Sequence, residues 1–115
     1  MKCGFDLDGT LDHPEIRNLC NALFDAGHEV HILTGYWPTG NYTEQMKHDK
    51  IARLGVRYTQ LHLCEGASMA EIGQTKAAIL NRYGIEFMID DPLRYRIGRA
   101  PALQLLITII TRERE

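Results

Sequence analysis

Apolar residues in this chain switch repeatedly between a strand-like and a helical period, and that alternation constrains the fold more than any other feature. Strand-like runs fall at residues 2–7, 29–34, 59–64, 86–90 and 102–110. The first and the last two are dense in apolar residues, as strands covered on both faces require. Helical stripes lie between them. After Pro14, which suits a first turn, Ile16, Leu19, Cys20, Leu23 and Phe24 share one face, and Gly27 supplies a stop. A second helix is predicted from Thr43 to Leu54, closed by Gly55. A third starts near Ser68, whose spacing to Glu71 suits a capping box, and reaches Tyr83 before Gly84. Gly73 inside that stretch leaves open an alternative start, near Thr75. Strand–helix alternation with short links predicts an α/β fold: one Rossmann-like domain over 1–115, a mostly parallel sheet of about five strands, and helices on both faces.

Composition narrows the setting. With 115 residues the chain has room for one core. A net charge of −2 gives no overall basic field, so charge does not imply nucleic acid. The three cysteines, Cys3, Cys20 and Cys64, are odd in number and lack metal-ligand spacing, and Cys20 falls on the apolar helical face as a small hydrophobe. A reducing cytoplasm is the expected location. The first residues are too quickly charged for a signal peptide. Residues 103–110, interrupted by Gln104 and Thr108, are too few to span a bilayer, so no membrane role is expected.

In open α/β sheets ligands bind beyond the carboxyl ends of the strands, so those ends carry the functional reading. Strand one ends in Asp6-Leu7-Asp8-Gly9-Thr10, strand two in Thr34-Gly35, and strand four in Asp90-Asp91. Four carboxylates brought to one edge would repel unless a cation lay among them, and hard oxygen donors favour Mg²⁺. Such a site suits phosphoryl transfer, where cations offset phosphate charge.

These motifs resemble those of the haloacid dehalogenase-like superfamily. Asp6 to Thr10 matches its first motif, the hydrophobic residue before Thr34-Gly35 its second, Lys76 its third, and Asp90-Asp91 its fourth, in the family's order. The resemblance implies a Mg²⁺-dependent phosphatase. Asp6 would be the nucleophile, forming an aspartyl-phosphate, and Asp8 the general acid and base. Thr34, Gly35 and Lys76 would bind phosphate, and Asp6, Asp8, Asp90 and Asp91 would hold the metal. Lys47 and Lys50 stand in the second helix, earlier than the third motif.

Family members often carry a cap domain, and here neither insertion point has room for one: Leu11, Asp12 and His13 fill the first, about a dozen residues the second. A capless site is open to a phosphorylated substrate as large as a phosphoprotein or a nucleic-acid end, or to closure by another copy in a homo-oligomer. The stretch from Lys76 to Pro92 bears a looser likeness to the phosphatase half of polynucleotide kinase–phosphatases. Tyr36, Trp37 and Tyr42 occupy the loop after Thr34-Gly35, where they could stack on a base or sugar or pack on the protein itself. Arg94, Arg96 and Arg99 follow Asp91 as a phosphate contact or a solvated basic face. The five histidines form no ligand set; His13 stands nearest the site, and His28, His31, His48 and His62 are scattered along the chain. The sequence leaves open two other uses of the same aspartyl-phosphate chemistry, a non-catalytic phosphoacceptor or binding module and a phosphotransferase.

Overall fold

The computed structural model describes residues 1–90. The predicted fifth strand at 102–110, Asp91, and the arginines at 94, 96 and 99 lie outside them. Among the described residues, β1 (Lys2–Phe5), β2 (Glu29–Tyr36), β3 (Gln60–Glu65) and β4 (Phe87–Ile89) form one parallel sheet ordered β3-β2-β1-β4. Helices α1 (Pro14–Asp25), α2 (Glu44–Leu54) and α3 (Met69–Tyr83) connect them.

The sheet is covered on both faces. On one, Ile16 and Cys20 of α1 and Ile51 of α2 pack against Cys3, Phe5, Val30 and Ile32. On the other, Ile72 and Leu80 of α3 pack against Leu33, Cys64 and Met88. Burial from both sides accounts for the dense apolar runs in β1 and β4. Gly4 sits under the crowded side chains of the neighbouring strands: a Cβ there would lie 2.8 Å from Met88 Sδ and 3.2 Å from Leu33 Cδ1.

Local chemistry sets the helix limits. Pro14 stands at the start of α1. Thr43 caps α2, its Oγ1 accepting from the Met46 amide at 3.2 Å, and Gly55 ends the helix in the left-handed region at φ 68°. Ser68 caps α3 through the Glu71 amide, while Glu71 reaches back to the amide of Ala67 at 2.6 Å. That double cap starts α3 at Met69, as the Ser68–Glu71 spacing predicts and six residues before the alternative start near Thr75. Gly73 is buried inside the helix, and the cap with the packed apolar face outweighs its roughly 1 kcal/mol propensity cost.

β1 ends earlier than its apolar run because the chain turns at once. Asp8 (φ −73°, ψ 126°) and Gly9 (φ 79°, ψ −3°) hold the two central positions of a type II turn, the second of which requires glycine. Only a short segment separates this turn from α1, and residues 66–68 alone separate β3 from α3. Neither connection holds a cap.

Candidate functional site

The carboxyl ends of β1, β2 and β4 and the first turns of α2 and α3 meet at one edge of the sheet, and two lysine-centred clusters form there. In the first, Lys76 rises from the second turn of α3 under the sheet edge. Its ammonium donates to Asp6 Oδ1 at 2.9 Å and to Asp90 Oδ2 at 3.0 Å. Lys76 is fully buried, and Asp6 and Asp90 are nearly so. Thr10 donates to the other oxygen of Asp6, Oδ2, at 3.4 Å. The backbone holds Asp6 as firmly, its amide donating to the Ile89 carbonyl at 2.9 Å and so extending the β1–β4 pairing. Burial pushes the Asp6 carboxyl above the ordinary carboxylate value, with Lys76 pulling against it.

The second cluster centres on Asp8, two residues on and nearer to solvent. Lys47 donates to Asp8 Oδ2 at 2.7 Å and to Thr34 Oγ1 at 2.9 Å, tying the ends of β1 and β2 together. Lys50, one turn along α2, donates to Asp8 Oδ1 at 2.7 Å and to Asp12 Oδ2 at 3.1 Å. The Tyr42 hydroxyl adds a bond to Asp8 Oδ1 at 3.0 Å, and its ring lies 4.1 Å from the Lys47 ammonium. Burial alone would raise Asp8, but hydrogen bonds from Lys47 and Lys50 outweigh it and hold the carboxyl below its ordinary range. The Lys50 ammonium rises for the reciprocal reason: bonds to Asp8 and Asp12 outweigh its own desolvation. Burial followed by the Asp8 charge raises the Tyr42 phenol.

Asp6, Asp8, Thr34, Lys76 and Asp90 therefore converge at one edge, and Gly35 lines the same cavity as Asp8. Asp91 lies outside the described residues. Sequence reasoning missed Lys47 and Lys50 as partners of Asp8. Their signal was the i, i+3 spacing on a helix that directly follows the Thr34 strand, which sets both ammoniums over the same edge. Sequence reasoning also left His31 and His62 apart. Adjacent in β2 and β3, their rings stack at 5.1 Å, with Nδ1 of His31 and Nε2 of His62 2.8 Å apart, and Nε2 of His31 lies 2.7 Å from the Glu29 carboxylate.

No protein-family model matches the chain, and no curated protein matches it. Among solved structures it is similar to a D,D-heptose 1,7-bisphosphate phosphatase from B. bronchiseptica, complexed with magnesium and phosphate. The match has a TM-score of 0.54 at 18% identity and covers 96% of this chain and 76% of that one. The fold is haloacid dehalogenase-like. At that identity the likeness speaks for the frame alone, and the chemistry must come from the residues.

In this haloacid dehalogenase-like frame the donor set can be tested against a cation. Asp6, Asp90 and Lys76 together carry one net negative charge in a place sealed from water, a balance that a small cation suits. Carboxylate oxygens are the ligands Mg²⁺ prefers. Among the described residues no group of three or more acids, histidines or cysteines stands ready to hold a metal, so a complete shell would need backbone oxygen, substrate or water as well.

Proposed function

We propose that this protein is a Mg²⁺-dependent phosphomonoesterase with Asp6 as its nucleophile. The observation that carries the reading is the Asp6 carboxylate, fixed by Lys76 and Thr10 at the end of β1 beside an Asp8–Lys47–Thr34 chain that offers a hydroxyl and an ammonium to phosphate. Asp6, the Asp8 carbonyl, Asp90 and Asp91 would hold Mg²⁺, which supplies charge neutralisation at the transferring group when bound.

The chain's own residues account for the rest. Thr34 Oγ1, the Gly35 amide and Lys47 receive phosphate oxygens, with Lys76 offsetting charge on Asp6 and on the phosphate. An ammonium shared with phosphate holds Asp8 less tightly, which frees that carboxyl to carry a proton. Asp6 attacks phosphorus in line as Asp8 protonates the departing alkoxide, giving an alcohol and an aspartyl-phosphate. Water then attacks that phosphorus while Asp8 takes its proton, releasing inorganic phosphate and restoring Asp6.

The test is p-nitrophenyl phosphate turnover with and without Mg²⁺, beside Asp6→Asn. Mg²⁺-dependent phosphate release is expected in the wild type, with a loss of at least about 10³-fold in the variant. Undiminished metal-dependent turnover in Asp6→Asn would sink the assignment. Stable phosphorylation of Asp6 without release would favour a phosphoacceptor instead.

A further inference from the structure

Resting on the phosphatase reading, the geometry points to a nucleoside monophosphate as the substrate class, its base held against Trp37 in the cavity that opens beside Asp8. This cavity is about 700 Å³, and Asp8, Gly35 and Lys47 line its inner end. Its other walls include Tyr36, Trp37, Tyr42 and Met69. A volume of this order holds a whole small ligand rather than a phosphate with a short stub.

The apolar walls are the first argument. Trp37, Tyr42 and Met69 are 40%, 37% and 41% exposed, and all three face this one cavity. Large apolar side chains gathered in the open beside a polar site mark a place for a ligand. Indole, phenol and thioether surfaces share a preference for flat π-faces, on which a nucleobase stacks whatever its identity. Asn41, also in the wall, offers both a donor and an acceptor to a base edge.

Charge supplies the second argument. Lys47 is the one cation lining the cavity among the described residues, and it already serves Asp8 and Thr34. Among the described residues, a second phosphate on the substrate would find no further cation lining that cavity. Trp37 also borders a second cavity, of about 810 Å³, but Glu65 and Glu71 line that one and would repel a phosphorylated ligand. The substrate is thus directed to the Lys47 side of the indole, with one phosphate inward and a neutral, flat group outward.

Trp37 is the only tryptophan in the chain, so its fluorescence reports directly on stacking. In Mg²⁺-loaded Asp6→Asn, adenosine 5′-monophosphate should quench the indole saturably, while ribose 5-phosphate and inorganic phosphate leave it unchanged. In the wild type, kcat/KM for adenosine 5′-monophosphate should exceed that for ribose 5-phosphate by about tenfold or more. That ratio should fall towards one in Trp37→Ala and largely recover in Trp37→Tyr. Equal kcat/KM for the two compounds, without quenching, overturns the assignment. Phenyl phosphate performing as well as the nucleotide also overturns it, leaving an aryl pocket. Loss of p-nitrophenyl phosphate hydrolysis with quenching intact would sink the reaction and keep the pocket; hydrolysis without base preference would do the reverse.

Discussion

Asp6 and Asp8 are two residues apart and live in opposite electrostatic worlds. Asp6 is sealed beneath the edge, where desolvation raises it and one ammonium is shared with Asp90. Asp8 is partly wet and gripped by two lysines and a phenol. Environments that push two carboxyls apart are what acid–base division of labour needs. Lys47 is the hinge of this arrangement, because among the described residues it touches both Asp8 and Thr34. In Lys47→Met, kcat/KM should fall by about 10²-fold and the inhibition constant of inorganic phosphate should rise, since ammonium and phosphate no longer meet. Unchanged phosphate inhibition would remove Lys47 from the phosphate site. The i, i+3 spacing of Lys47 and Lys50 marks a shared helical face, but which carboxylate that face meets depends on how α2 docks across the ends of two strands.

At the scale of elements, the strands and helices were largely legible because their limits are set by local chemistry. The Thr43 cap, the Ser68–Glu71 pair and the glycine stop at Gly55 all act within a few residues of themselves. The exceptions are instructive. β1 stops at Phe5 because the Asp8–Gly9 turn needs its backbone, and α3 starts at Met69 because a good cap and a packed face override Gly73. The His31–His62 pairing was illegible because it depends on the parallel register of β2 with β3, in which His62 stands opposite Leu33. One element couples stability to the site: Thr43 accepts from Met46 through its side chain and from Lys47 through its carbonyl. Thr43→Ala should cost about 1 kcal/mol, read as a lowering of about 4 °C in Tm. Because Lys47 lies in that first turn, kcat/KM should drop along with it. A variant that loses stability but keeps full activity would show that Lys47 does not depend on the cap.

At the scale of the molecule, the parallel sheet gathers every strand's carboxyl end at one edge, which is why residues from 6 to 90 can share a site. Among the described residues no helix is long and apolar enough to cross a membrane. The same sheet carries a second polar feature, the buried His31–His62 pair beneath Tyr83, which Glu29 joins from the surface. Burial, then His31 and Arg82, hold His62 at about 4, below the ordinary 6.5. The unfolded chain therefore takes up a proton near pH 6.5 that the folded chain refuses until about 4. The unfolded state binds more protons across that window, so stability is full above it and is lost as pH falls through it. The loss should be on the order of 2 kcal/mol between pH 7 and 4.5, measured by thermal unfolding, and His62→Gln should flatten most of that slope. An equally steep slope in the variant would assign acid sensitivity to other groups.

Lys76 has one more consequence. An amine reagent diffusing over this protein meets Lys50 and the lysines of the surface directly, whereas Lys76 offers it no surface at all. Acylation can reach that nitrogen only in the moments when the packing around it opens. The residue that bridges Asp6 and Asp90 is thus also a built-in clock, counting how often that packing opens.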